Sequence, residues 1–239
     1  MIIQDIHHLS PELQAQKLAD HFSAIPNQYD QLNKEDIQIP PIQKCEIPQL
    51  KQVDVWEKLA HLRTNKSSIQ GDIPIKIYKE FAAYITELLT DVYNASLLQG
   101  KYPSIYKYEI STPVPKKYPV EKIEQMRNIS GLLVADKVFE KLLSEMIISD
   151  MSDNLDLAQF GNEKKSSIQH YLIKMIHRIH TALDNHSRRE VFAVVANMID
   201  WNSAFVRQCP KQGIQSFQEN GVRNSLIPLF TSYFQDLGT

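Results

Sequence analysis

The stretch Val191-Phe-Ala-Val-Val-Ala-Asn-Met-Ile199, followed directly by Asp200-Trp-Asn-Ser-Ala-Phe205, decides how the rest of the chain is read. All of the first nine residues except Asn197 are apolar. Density without alternation predicts a strand buried on both faces. Asp200 then stands where the chain leaves the core, so its carboxylate is held rigidly without burial of an unpaired charge. On spacing alone, Asp200 reads as the cap of the turn into Asn202-Ser203; a role as ligand needs further support from the surrounding sequence.

Composition bounds the answer. The chain has 239 residues, room for one large domain or two small ones. Only 7 glycines favour long helices over turn-rich β architecture, and a formal net charge of −2 restricts any nucleic-acid surface to a local basic patch. Cys45 and Cys209 have no metal spacing and read as two buried thiols in a reducing compartment, with a disulfide between them the lesser alternative. Met1-Ile-Ile-Gln-Asp-Ile-His-His lacks a signal-peptide layout, and no apolar run approaches a membrane span. The expectation is an intracellular protein of the cytoplasm or nucleus, neither secreted nor membrane-bound.

Periodicity places the other elements. Ser10-Pro11 opens a helix to about Ile25. A proline-punctuated linker follows over 26–47. A second helix spans about 49–62, with Val53, Trp56, Leu59 and Leu62 at helical spacing. After the loop Asn65–Pro74, with Asp72 near an N-cap, a long helix runs to Gly100 on a stripe of Tyr78, Phe81, Ile85, Leu88 and Val92. A strand is expected over Tyr106–Pro115, with a return near Arg127. Helices are expected over 134–151, 166–185, Pro210–Glu219 and Asn224–Asp236. His170 and His177 share one face of the 166–185 helix but lack a third ligand, so they read as structural.

Several blocks occur in a fixed order. They are Lys66-Ser-Ser-Ile-Gln-Gly-Asp-Ile-Pro74; Asn94-Ala-Ser-Leu97 with Gly100-Lys-Tyr-Pro103 and Tyr106-Lys107; Thr112-Pro-Val-Pro-Lys116; Arg127-Asn-Ile-Ser-Gly-Leu-Leu133; Gln159-Phe-Gly161 with Ser166, Ser167 and His170; and Asp200-Trp-Asn-Ser-Ala-Phe205. Taken together over roughly residues 10–239, they resemble the reverse transcriptase of non-LTR (LINE-type) retrotransposons. The resemblance implies a helix-dominated α/β (α+β) fold, with reverse-transcriptase fingers, a partial palm and an incomplete palm sheet. It divides the chain into an N-terminal helical extension and linker (1–63), a fingers-like region (64–189) and the start of the palm (190–239).

The resemblance also implies roles. Asp200, helped by the backbone carbonyl of Trp201, would be the catalytic ligand for Mg²⁺ in two-metal nucleotidyl transfer. Phe205 would exclude a ribose 2′-hydroxyl, with Ser203 and Ala204 beside the nucleotide. Lys116 and Arg127 would grip the triphosphate, Arg through paired hydrogen bonds and Lys as a point charge. Lys117 takes the place of Lys116 if the register slips by one. Lys66, Lys107 and Lys117 would contact nucleic acid, and Tyr102, Tyr106, Tyr108 and Tyr118 would stack on a template strand or else build ordinary core. The implied partners are an RNA template, a DNA primer and deoxynucleotides.

Two departures qualify this picture. Val206 stands where the family usually carries a second Asp, and the 239 residues contain no Asp-Asp pair. The expected '[FY]-x-D-D' hairpin is therefore missing, and the chain is expected to be inactive by itself. The alternative is a non-catalytic remnant or domesticated protein that binds RNA or a protein partner.

Overall fold

A computed structural model of the chain describes residues 3–24, 32, 37–39, 41–42, 46–66, 68–156, 159–161, 166–184, 194–199 and 207–235. The fold divides into two compact units, Met1–Met151 with Phe205–Thr239, and Ser152–Ala204. Helices dominate the first unit: α1 (Pro11–Ser23), α2 (Gln52–Ala60), α3 (Ile75–Glu80), α4 (Ala82–Gln99), α5 (Val134–Met151), α7 (Pro210–Glu219) and α8 (Ile227–Phe234). Two strands, β1 (Ile110–Pro115) and β2 (Met126–Gly131), form an antiparallel hairpin between α4 and α5. The second unit holds α6 (Ile168–Asp184).

Local chemistry sets the helix ends. Ser10 is extended and its hydroxyl accepts the Leu13 N–H, while Pro11 fills the first turn of α1, where a missing N–H costs nothing. Gly100 ends α4 in the left-handed conformation (φ 59°). The Lys101 N–H then reaches the Ser96 carbonyl at 3.1 Å and the Gly100 N–H reaches Leu97 at 3.3 Å. Both orphan carbonyls are thereby satisfied. A side chain at Gly100 would also collide with Pro228, whose Cβ lies 2.6 Å from an added Cβ. Gly100 thus serves both the turn and the close approach of α8.

Two tertiary hydrogen bonds do work that local sequence does not announce. Asp72 does not cap the helix that follows it, because Pro74 occupies that N-cap. Its Oδ2 instead accepts the Val134 N–H at 2.7 Å, the first residue of α5. Asn94 on α4 donates to the Leu50 carbonyl at 3.0 Å and accepts the Leu50 N–H at 2.8 Å. It latches the segment entering α2 to α4.

The main core lies among α2, α3, α4, α5, α7 and α8. Phe139 stacks on Tyr93 with ring centroids 4.6 Å apart and on Tyr102 at 5.5 Å. A second, smaller cluster joins Ile3, Ile6, Val120 and Met126, with Leu18 and Phe22 of α1 packed against it.

The helices fall where periodicity predicts them, but two of their faces do not. On α2 the buried residues are Val55 and Leu59, whereas Val53 and Trp56 are exposed. The predicted helix to Gly100 is broken at Phe81 (φ −100°, ψ 18°), which separates α3 from α4. Beyond the break Leu89, Tyr93 and Leu97 are buried, while Phe81 and Leu88 face solvent. A break in the helix resets the angular phase of everything after it, so a single periodic stripe drawn across it misplaces the far side.

The strands differ too. Tyr106 and Lys107 belong to a 3-10 turn (Ser104–Lys107), and β1 begins only at Ile110. Tyr106 is buried, and the tight turn is what directs its ring into the core. The strand expected over Val191–Ile199 does not form within its described residues, 194–199. Val195, Met198 and Ile199 are 77 %, 82 % and 73 % exposed. A strand buried on both faces needs ladder partners for its N–H and C=O groups. Among the described residues the only strands are β1 and β2, and each is paired with the other.

Replacing Asp72 with Ala removes the cap of α5 and is expected to cost about 1 kcal/mol. Asn94→Ala leaves both Leu50 backbone groups unpaired, for about 1–3 kcal/mol. Leu88→Ser, on the exposed side of α4, should stay within about 0.5 kcal/mol of the unmodified protein. Urea unfolding midpoints of the three variants check this ordering.

Candidate functional site

The β1–β2 hairpin gathers the candidate residues that the structure brings together. Its register pairs Val114 with Arg127 and Pro115 with Met126. The ladder continues one step further, because the Lys116 N–H donates to the Gln125 carbonyl at 2.8 Å. Hydrogen-bonded pairs alternate along an antiparallel ladder. Pro113 and Pro115 therefore sit at the intervening positions, where the backbone nitrogen faces away from β2. That is the only place in the strand where proline forfeits no ladder bond, and it blunts the outer edge of β1 against further pairing.

Register also decides which side chains share a face. Lys116 and Arg127 are diagonal neighbours on one face, with Cβ atoms about 7–8 Å apart in such a pair. Thr112, Val114 and Ile129 lie on the same face, and all five residues are exposed. Lys117 falls on the opposite side, so it does not substitute for Lys116. Ser111, Pro113, Met126 and Asn128 line the inner face. There Met126 is buried, and the Asn128 amide donates to the Ser111 hydroxyl at 2.9 Å, fixing the register. The Lys116 ammonium donates to the Glu124 carbonyl at 3.0 Å across the hairpin loop, and the Arg127 side chain projects into solvent.

Both ends of the hairpin are braced. At the loop end, Ile3 bridges to Val120, and the Gln4 and Asp5 N–H groups donate to Val120 and Glu121 at 3.2 and 3.1 Å. At the other end Gly131 meets Ile69 of the Lys66–Pro74 block, whose Cγ2 would lie 2.5 Å from an added Cβ. The Ser68 hydroxyl of the same block donates to the Ile73 carbonyl and accepts the Ile75 N–H. Much of that block is thereby occupied in shaping its own loop and supporting the hairpin.

The remaining candidates are dispersed. Lys66 is exposed in the turn after α2. Lys107 is half-buried and its ammonium donates to the Gln235 carbonyl at 2.6 Å, just past the end of α8, where a cation suits the free carbonyls. Tyr102 and Tyr106 are core residues rather than a stacking platform, whereas Tyr108 and Tyr118 are exposed. Asp200, Trp201, Ser203, Ala204 and Phe205 lie outside the described residues, as do Val206 and Cys45. Cys209 is a free, half-buried thiol. His170 and His177 are exposed on α6.

Sequence reading missed a buried polar group at the feet of the hairpin. Asp136 in the first turn of α5 has no exposed surface. Its Oδ1 accepts the Tyr102 hydroxyl, while Oδ2 has no hydrogen-bond partner among the described residues. Burial pushes the Asp136 carboxyl up to about 7; the Tyr102 hydrogen bond works against this, Glu140 adds to it and Lys137 opposes it. Glu140, one turn on, accepts the Tyr233 hydroxyl at 3.3 Å and is also raised, again chiefly by burial. Burial likewise raises Tyr102, Tyr93 and Tyr233 well above the ordinary phenol value. The signal in the sequence was an acid set into the apolar face of Val134-Ala-Asp-Lys-Val-Phe139.

In the second unit, Phe160, Tyr171, Lys174, Arg178 and Val194–Ala196 line a groove of about 220 Å³. The Lys174 ammonium lies 5.2 Å from the Phe160 ring centroid. Among the described residues no group of three or more His, Cys, Asp or Glu side chains is placed to hold a metal ion, and no helix is long and apolar enough to cross a membrane. No protein-family model matches the chain, and no curated protein matches it.

Gly131→Ala forces its new methyl into Ile69 and should cost about 1–3 kcal/mol by overpacking. Ile69→Ala in the same chain should relieve part of that cost. A double-mutant cycle measured by denaturation checks the coupling: simple additivity would mean the two residues do not meet.

Proposed function

We propose that residues 1–239 are the fingers and first palm portion of an RNA-directed DNA polymerase of the non-LTR retrotransposon type. The observation that supports this most is the hairpin register, with Lys116 and Arg127 exposed on one face. Two cations fixed at that spacing suit a polyphosphate: guanidinium gives directed paired hydrogen bonds, and ammonium a point charge. The order of the sequence blocks adds the second support.

In this reading Arg127 and Lys116 hold the triphosphate of the incoming deoxynucleotide. Phe205 excludes the 2′-hydroxyl, and Ser203 and Ala204 border the sugar. Asp200 and the Trp201 carbonyl contribute to a Mg²⁺ site, which supplies the charge stabilisation of phosphoryl transfer when the metal is bound. One carboxylate does not complete that site, and residues 1–239 contain no Asp-Asp pair. The remaining ligands belong to sequence beyond these residues. Lys66 and Lys117 are left as contacts to template or primer phosphates, whereas Lys107 is engaged with the end of α8.

A second reading, RNA binding without catalysis, is favoured by Val206, which replaces an acid expected by the resemblance. Binding of RNA that weakens steeply with salt but does not respond to Mg²⁺ would support it.

Residues 1–239 alone should give no Mg²⁺-dependent primer extension. In an intact polymerase containing them, Asp200→Ala should abolish extension. Arg127→Ala or Lys116→Ala should raise the deoxynucleotide KM about 10- to 100-fold, the loss of one charge-assisted contact. Robust extension by the 239 residues alone, or unchanged extension by Asp200→Ala in the intact enzyme, would sink the assignment.

A further inference from the structure

Tyr102 lies just ahead of the 3-10 turn that leads into β1, and Asp136 lies just after β2, in the first turn of α5. Their hydrogen bond therefore joins the segment entering the hairpin to the helix leaving it. We propose that the Tyr102–Asp136 hydrogen bond is a protonation-sensitive clamp on the feet of the β1–β2 hairpin, closed when Asp136 is a neutral acid and loosened when it ionises. The clamp does not depend on the polymerase reading, since it concerns how the hairpin is held and not what the hairpin binds.

The geometry supports this in three ways. Asp136 is fully buried, and its Oδ2 lacks a partner among the described residues. A carboxylate in that position carries an unsolvated lone-pair edge, whereas a carboxylic acid does not carry the charge at all. The surroundings offer it little compensation. Tyr93 from α4, Tyr102 and Tyr106 from the segment before β1, and Tyr233 from α8 face it with neutral phenols. On α5 itself Glu140 adds negative charge and Lys137 positive. Glu109, just ahead of β1, bears on Glu140 and Tyr233. The N-terminus of α5 favours an anion nearby, but burial outweighs it. Finally, Tyr93 donates to the Ala135 carbonyl at 2.7 Å, so the long helices α4 and α5 are tied next to Asp136. The segment carrying Tyr102 and Tyr106 is the shorter element. Opening it exposes Asp136 to water at least cost to the core.

The sign follows from linkage. The carboxyl is raised in the folded protein to about 7 from an ordinary 3.8. The closed state thus binds the extra proton between those limits, and closure weakens as pH rises through that window, levelling off above about 7. Each pH unit within the window changes the opening equilibrium by up to about tenfold.

Amide hydrogen-exchange protection factors for Tyr106–Gly131, measured on the full chain between pH 5 and 8, test the clamp. Protection should fall with pH by up to about tenfold per unit and level off near pH 7. In Asp136→Asn, which keeps an acceptor for Tyr102 and cannot ionise, that fall should vanish. Persistence of the same fall in Asp136→Asn would overturn the proposal, and so would flat protection in the unmodified protein. If Asp136→Asn fails to fold, carboxyl ¹³C titration of the unmodified protein decides: a midpoint near 4 overturns the clamp, and one near 7 supports it.

Discussion

Phe139 has no exposed surface and stacks on both Tyr93 of α4 and Tyr102 of the segment leading into β1. Most of the first unit is arranged around this contact. It joins the helix before the hairpin to the helix after it, and edge contacts between Tyr102 and Tyr233 extend it to α8. Aromatic rings suit this junction because each buries a large area with few rotatable bonds. The phenols also need partners inside the core. The Ala135 carbonyl, Asp136 and Glu140 supply them, so the acids are there because the tyrosines are. A core built this way gains specificity from its polar pairs and retains one buried carboxyl whose charge it tolerates poorly.

The hairpin inherits its placement from that junction. Two isolated strands are marginal in water, so β1 and β2 depend on supports outside themselves. The supports are the Ile3–Val120 bridge with its small apolar cluster at one end, and the Ile69–Gly131 contact at the other. The prolines of β1 face outward and close the free edge. What remains available is one exposed face carrying Lys116 and Arg127. The polymerase reading draws on this economy: the hairpin commits its inner face to the fold and leaves the outer one for a ligand.

The sequence made part of the site legible and part not. Thr112-Pro-Val-Pro-Lys116 and Arg127 already indicated a strand and a return with cations on both, and the pairing puts Lys116 rather than Lys117 beside Arg127. Lys107 and Lys117 looked equivalent as single surface cations, yet Lys107 is engaged by a carbonyl that is distant in sequence. Tyr102 and Tyr106 were ambiguous for the same reason, since a tyrosine's role depends on what lies opposite its ring. Asp136 was hidden because one acid in an apolar stripe has no local signature of its partners.

Length, composition and periodicity by themselves determined a helix-rich protein with one hairpin, and the limits of α5, α7 and the Gly100 stop. Those features follow from local backbone preference and from spacing that neighbouring residues enforce. Tertiary structure alone decided which faces are buried. The Phe81 break rephased α4, the Asn94 latch fixed the approach to α2, and Asp72 capped a helix more than sixty residues away instead of its own. It also decided that apolar residues 194–199 are not a strand. Hydrophobicity makes burial favourable, but a strand exists only where another strand accepts its hydrogen bonds, and that partner is a property of the whole fold.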